Sequence, residues 1–510
     1  MSNNLLKQIS RTFLLPGKKS TARQLNVPLA FILVALIFAG LDSCQKPTLI
    51  SHDPSLHLEF SNDSVIFDTV FTTLGSAIQT LRVYNHSSSN LVISNIKLEG
   101  GSNSPFRMNV DGEPTSDANN IELRSHDSLY IFARVTIDPN NATNPFVVQD
   151  SILFQVNGNN QYVRLVAWGK NARYILADHI TSGFPPYKVI ADSMQTTHWD
   201  NKLPYVIYGY AVVDAYGKLI IDPGTHIYFH KNAGLWIFAN GQLDAEGTIE
   251  NPIVFQGDRL DTTYASLPGQ WDRIWIMEGA SGKNNIIKNA VIKNAYMGIQ
   301  AESFYQPTKN QLILDNVIIK NMNGAGIFTK NYNITAQNVV VGDCGGYCMA
   351  LTGGGNYQFI QSTFANYWPY SVRNNPAVLI SNYTVDSSNQ EVPNSIHFSL
   401  GNSIIYGYNN DEFGTQMISG ADSAYFLDHC LVKTTLSMSN GNYFNQIIKN
   451  KDPLFTNTDK QDYRIDTLSP AIKKGDPNIS VQAPYDILGN PRGMFPDLGA
   501  YQFVPNQSKK

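Results

Sequence analysis

Charge is scarce in this sequence. Asp, Glu, Lys and Arg make up 15% of 510 residues, and the acids outnumber the bases 41 to 37. Long surface helices draw on Glu, Lys and Arg, so a chain poor in them is expected to be built from strands and turns. Nucleic acid needs a basic surface, and the missing basic excess excludes it as a partner. Cysteine is scarcer still: Cys44, Cys344, Cys348 and Cys430 are too few for a disulfide-built scaffold. Cys344 and Cys348, in a CxxxC spacing, either form a disulfide across a loop or stay as free thiols, as Cys430 would. Long apolar runs are also absent. The run Val27 to Gly40, VPLAFILVALIFAG, falls short of the roughly 20 residues that span a bilayer.

What is present at the amino terminus fits an export signal: Lys7, Arg11, Lys18, Lys19 and Arg23 precede that apolar run. The next residues, LDSC at Leu41 to Cys44, resemble the lipobox of bacterial lipoproteins. The resemblance implies a signal over residues 1–43, lipidation at Cys44 and attachment to the outer membrane through the lipid, facing the periplasm or the cell surface. Removal of residues 1–43 would leave 32 basic against 40 acidic residues. Residues 44–57 read as a linker.

Residues 58–172 alternate apolar and polar positions in short runs such as SVIFDTVF, LVISNIKL and QYVRLVAWG, broken by NHSSSN, DPNN and NGNN. That pattern predicts an antiparallel β-sandwich, with Trp168 in its core. The stretch resembles the immunoglobulin-like domains of the hydin-like class, which implies a spacer or docking module. Asp followed by Ser or Thr and then an apolar residue or Thr recurs at Asp63, Asp68, Asp127, Asp150, Asp192, Asp261, Asp422 and Asp466. It resembles the acceptor of a periplasmic O-glycosylation system.

The second half repeats one phrase. NAVIKN, Asn289 to Asn294, returns as DNVIIKN, Asp315 to Asn321, and as QNVVVGD, Gln337 to Asp343. Written as apolar, any, Asn, any, any, apolar, it gives Ile287–Asn289–Ile292, Leu314–Asn316–Ile319, Ala336–Asn338–Val341, Phe359–Gln361–Phe364, Leu400–Asn402–Ile405 and Leu427–His429–Val432. The steps are 27, 22, 23, 41 and 27 residues. A step near 22 is one coil of a parallel β-helix, and the longer ones are coils carrying insertions. Each coil needs an inward strand and a turn; Asn suits the turn and can bond the Asn of the next coil. Gln361 and His429 are expected to interrupt or cap that ladder. Upstream, Lys218 to Leu260 places short strands between DPG, NAG, NGQ and EGT turns, and PGQWDRIWIMEGA leads into the first copy. This stretch resembles the right-handed parallel β-helix proteins of the pectin-lyase-like superfamily. SPAIKKGD from Ser469, DILGNPRG from Asp486 and PDLGAYQF from Pro496 resemble the terminal segment of exported β-helix proteins. The expected architecture is all-β: a sandwich, a right-handed β-helix over 173–450, and a capping segment with a tail over 451–510.

Catalysis would need either a Lys or Arg base with a cation such as Ca²⁺, for a polysaccharide lyase, or paired carboxylates, for a glycoside hydrolase. Lys293 and Lys320 fall one coil apart on the outward face, with Asp343 near Lys320, and are the best catalytic candidates. His226 and His230 share a strand face without an evident third ligand. Asp486 and Asp497 are candidate Ca²⁺ ligands or turn caps. Trp271, Trp275, Tyr296, Tyr347, Tyr367, Trp368 and Tyr370 are candidate sugar-stacking rings. The preferred expectation is a monomeric, non-catalytic, exported scaffold binding glycan along the helix, with no cofactor unless Ca²⁺. A lyase or hydrolase and a protein-binding adhesin are the alternatives.

Overall fold

A computed structural model describes residues 49–505, apart from 74, 140–145, 262, 263, 265 and 305. The export signal and Cys44 lie outside the described residues. Among those described, no helix is long and apolar enough to cross a membrane.

The first unit consists of two five-stranded sheets. In Gln79–Tyr84, Leu81 and Val83 are buried; in Ser128–Val135, Leu129, Ile131, Ala133 and Val135 are. Strict alternation therefore turns one face of each sheet into a shared core. One pair departs from the expected antiparallel order: Ser64–Phe71 runs parallel to Asn159–Lys170. These two strands lie at opposite ends of the unit, so no hairpin sets their relative direction. Trp168 is a second correction. Val163, Leu165 and Ala167 fill the inward positions of the same strand, which leaves Trp168 half-buried on the outer face. At several Asp-Ser/Thr sites the carboxylate accepts the next backbone N–H, as Asp127, Asp150, Asp192 and Asp466 do at 2.6–2.7 Å.

From Arg173 the pairing becomes parallel and the chain winds into three strips per coil. Two strips join in a 19-stranded sheet, and the third forms a nine-stranded sheet. The strand Asn285–Lys293 shows why two strips merge: it bends at Asn289 without losing its pairing on either side. The interior registers match the repeat read from sequence. Ile287, Leu314, Ala336, Phe359, Leu400 and Leu427 stack in one column. Ile292, Ile319, Val341, Phe364, Ile405 and Val432 stack in the next. All belong to one apolar cluster reaching from Ile175 to Phe444.

The bend residues Asn289, Asn316, Asn338, Gln361, Asn402 and His429 have φ between 45° and 55°. This left-handed region costs most side chains about 1–2 kcal/mol, and Asn tolerates it best after glycine. The carboxamides also bond to the preceding coil: Asn316 donates to Asn289 at 3.0 Å and Asn338 to Asn316 at 2.9 Å. At Gln361 the ladder is interrupted, as expected. The Asn338 oxygen instead accepts from Arg492 at 2.7 Å, and the Gln361 amide donates to Ser480. Both partners come from the terminal segment. That segment does its capping along the flank, packing Tyr463, Ile487 and Ala500 on Val340 and Ala365, and Ala471 and Leu498 on Ile404 and Leu431.

The longest step, between Gln361 and Asn402, is folded into the coil. Its strand Val378–Ser381 joins the nine-stranded sheet, and Tyr383–Val385 forms a hairpin with Glu391–Pro393. Arg373, at the head of this insertion, makes a buried ion pair with Glu412 at 2.5 Å. The two units touch through Phe71, whose ring meets Tyr228 edge-on at 4.7 Å, and through the Tyr174 hydroxyl, which donates to the Thr72 carbonyl.

Asn316→Ala removes two carboxamide bonds and places a Cβ residue with no turn preference at φ 55°. The expected loss is about 2–4 kcal/mol. Asn316→Gly keeps the backbone freedom and loses only the bonds. Thermal midpoints should therefore fall in the order wild type, Asn316→Gly, Asn316→Ala; equal midpoints for the two variants would show that backbone conformation is not what Asn supplies.

Candidate functional site

In a parallel sheet, side chains in register stand over one another, so a lysine repeated at one coil position builds a column of charge. Lys293 pairs in register with Lys320, and Lys320 with Gly342. Both lysines point outward and are half-buried. Among the described residues, neither ammonium makes an ion pair. Burial lowers the proton affinity of each, and the charge of Lys320 lowers that of Lys293 further.

Toward the first unit, His226 stands one column over, in register with Val254 and Val291. Burial, then the charges of Lys170 and Lys293, hold the His226 imidazole below its usual range. Lys170 itself sits 5.6 Å above the Tyr228 ring, its proton affinity lowered by burial. An overall acidic chain thus gathers Lys170, His226, Lys293 and Lys320 on one side of the helix; among the described residues none of the three lysines is in an ion pair, and Asp343 is the acid whose charge acts on Lys320.

At its other end the lysine column meets a wall that the sequence reading did not foresee. Lys320 lines a depression of about 300 Å³ together with Tyr463, Tyr501 and the ion pair of Asp462 with Arg464. Tyr463 comes from the terminal segment and lies over Gly342, where a Cβ would collide with its ring. The small residues Gly342 and Ala365, which follow Lys320 in the column, were the available signal that something packs there.

Asp343 does not face Lys320 as a catalytic partner. It is 3% exposed and occupies a left-handed bend, φ 51°, in a second ladder with Asn294 and Asn321. One of its oxygens accepts the Tyr367 N–H at 3.1 Å. Burial raises its carboxyl above the usual range; bonds from Tyr463, Gln461 and Tyr367, and finally the Lys320 charge, act against that rise. The Asn321 side-chain oxygen below it is buried and has no donor. An Asn at 343 would supply one.

Most of the proposed stacking rings are not open surfaces. Trp271 is an interior residue, stacked on Phe229 at 4.2 Å. Trp275 stacks on Trp236 at 4.6 Å, and Glu302 accepts its indole N–H at 2.5 Å. Trp368 is buried; Tyr367 packs against Tyr408, Phe455 and Tyr463; Tyr347 is half-buried. Tyr296 at 47% and Tyr370 at 50% are the exposed members, and Tyr370 leans back to bond the Ser266 carbonyl at 3.2 Å.

The remaining candidates resolve into structural roles. Asp486 is fully buried and accepts from the N–H groups of Leu488, Asn490 and Gln502 and from the Asn490 amide. Asp497, equally buried, accepts from the N–H groups of Lys473 and Phe503. These carboxylates hold loops, the turn-capping role of the two that the sequence offered. Cys344 and Cys348 are free and buried, and no disulfide joins them. Burial, with the neighbouring Cys344, pushes the Cys348 thiol up. Cys430 is also free and buried, its thiol pushed up to about 12. His226 and His230 do share a face, but His230 pairs with Asp258 at 2.8 Å and stacks on Tyr208.

Residues 200–364 match the family described as right handed beta helix region. The chain is thus a right-handed parallel β-helix over that stretch. No curated protein matches the sequence. Among solved structures, the catalytic unit of a thermostable GH87 alpha-1,3-glucanase from Streptomyces thermodiastaticus is 8% identical, with a TM-score of 0.20 over 73% of this chain and 89% of that one. A family 123 glycoside hydrolase from Clostridium perfringens is 11% identical over 23% of this chain, with a TM-score of 0.16. The chain spans only 27% of that hydrolase's length. The ASH / PapD-like domain of human CEP192 is 14% identical over 25% of this chain and 94% of that one, with a TM-score of 0.17. Likeness at this level carries no activity over.

Asp343→Asn tests the second ladder. A carboxyl whose folded affinity for its proton is raised supports folding below its unfolded pKa and loses that support as pH rises. Removing it should raise stability by about 1–3 kcal/mol at pH 8, the cost of one buried unsatisfied group. The gain should shrink toward pH 4, as read from unfolding midpoints at the two pH values.

Proposed function

We propose that this chain is an exported scaffold, held to the outer membrane by lipid at Cys44, that binds acidic polysaccharide along the outer face of its β-helix. The sandwich unit then serves as an immunoglobulin-like spacer between the membrane and the helix. The observation that carries the reading is the in-register pair Lys293 and Lys320, two half-buried ammonium groups one coil apart, neither in an ion pair among the described residues, with the buried Asp343 the one acid whose charge acts on Lys320. Holding like charges together is unfavourable unless something negative lies across them. Carboxylate or sulfate groups repeated along an extended glycan suit a column of cations repeated along a solenoid. The partly exposed Tyr501 offers an apolar side to a sugar-sized depression beside Lys320.

Catalysis is the second reading, favoured by one fact: burial lowers the proton affinity of Lys320, as a general base for a lyase requires. Asp343 is withdrawn into its bend and lends that chemistry no second group.

The deciding experiment incubates the purified full-length chain in detergent with acidic and neutral polysaccharides, followed by mass analysis of retained and released sugars. Acidic polymers should be retained uncut and lost as salt rises, while neutral ones pass through. Lys293→Ala or Lys320→Ala should each weaken retention about tenfold, matching the 1.5–3 kcal/mol of a hydrogen bond to a charged group. Shortened or unsaturated products that vanish in Lys320→Ala would replace the scaffold with a lyase.

A further inference from the structure

Where the carboxamide ladder ends, the fold gathers three side chains that polysaccharide binding does not use. His429 stands at a bend position, φ 49°, where Asn402 stands one coil earlier. Asp428 immediately precedes it. Asp476 arrives from the terminal segment and is fixed there by Asn402, whose carboxamide accepts the Asp476 N–H at 2.7 Å and donates to the Asp476 carbonyl at 2.9 Å. One ligand atom each from Asp428, His429 and Asp476 lies within 4.8 Å of the other two, and all three residues are half-buried.

We propose that Asp428, His429 and Asp476 form a site for a divalent transition metal of the zinc class, which clasps the terminal segment to the solenoid. The donor set is one imidazole and two carboxylates. Zn²⁺ takes that mixture of nitrogen and oxygen, whereas Ca²⁺ selects oxygen alone. The contact already made is the one a metal would enter. Asp428 Oδ1 meets His429 Nδ1 at 2.8 Å and accepts the Asn445 amide at 2.7 Å. A metal replaces the proton shared between that nitrogen and that carboxylate. Asp476 Oδ1 accepts the Asn478 N–H at 2.8 Å, leaving Oδ2.

Charge favours the same conclusion. Among the described residues, the only ion-pair partner of this cluster is His429 itself, to Asp428. Two carboxylates from distant parts of the chain are therefore set beside one imidazole, with no Lys or Arg paired to either. A cation between them removes their repulsion and ties a segment whose own contacts elsewhere are hydrogen bonds and apolar packing. Water completes the shell, since three protein donors leave at least one position of a tetrahedral ion open.

The test uses the full-length chain, stripped with chelator and titrated with ZnCl₂ by calorimetry and by thermal unfolding. Wild type should bind one equivalent that is lost or weakened at least tenfold in His429→Asn and in Asp476→Asn, and zinc should raise the melting temperature of wild type and not of these two variants. Both variants are chosen to fold: Asn suits the left-handed bend at 429 and keeps the capping bond at 476. His230→Asn, on another face, should bind as wild type does. Equal binding by all four proteins, no binding by wild type, or an equivalent taken up from CaCl₂ and not from ZnCl₂ would each overturn the assignment.

Discussion

Every coil of the helix must turn its backbone sharply between two interior strands, and at Asn289, Asn316, Asn338 and Asn402 it does so in the left-handed region without a glycine. Glycine would allow the bend and leave it flexible; Asn allows it and fastens it, because its carboxamide reaches the coil below. The bend keeps Ile287, Leu314 and Ala336 in one interior column and Ile292, Ile319 and Val341 in the next. A one-residue slip at any rung would turn these side chains outward. Coils before Asn289 solve the same problem with other chemistry, such as Asp222 to Thr225 with Gly224 at φ 79°. The ladder is therefore a property of the later coils.

Strict register has consequences outside the helix as well as inside. Whatever side chain an outward position carries is set directly over its counterpart, so chemistry along a strip is amplified or cancelled. On one strip Lys293 and Lys320 reinforce each other and repel. On another Trp236 and Trp275 lie flat together, 8° apart, and cover each other's faces. The same geometry that builds a charged surface for an extended anion removes an aromatic one for sugar stacking.

This contrast explains which features could be read from the sequence. The interior columns were legible because burial selects apolar residues at a fixed place in each phrase, and the lysine column was legible from the same register. The aromatic rings were not, because ring exposure depends on what stands in the neighbouring coil: Trp271 turned inward against Phe229, while Trp368 was buried by its own loop. Trp168 was misplaced because strand alternation was not carried through to the end of its strand. The Tyr463 wall and the Asp476 position were illegible for another reason. Both arise from a segment more than a hundred residues from the lysines it meets, and no periodicity links the two. Gly342 and Ala365 were the local traces, small residues in line with Lys320, the first of which makes room for a ring.

A solenoid held only by neighbouring coils gains its stability as a sum of adjacent interfaces and can fray from either end. The terminal segment changes that arithmetic. Its residues bond Asn338, Thr363 and Asn402, which belong to different coils, and Tyr485 and Arg492 both reach the carboxamide of Asn338. Arg492 is the deepest of these links. Burial lowers its affinity for its proton to about 10, and the charges of Asp486 and Asp497 act to keep it ionised. Opening one of the strapped coils would therefore break contacts to several others and part Arg492 from Asn338 and the Ala500 carbonyl. Because Tyr463 belongs to the same strap, the wall beside Lys320 is as firm as the strap itself. The surface offered to an extended ligand is then set by the docking of the chain's own end against its ladder.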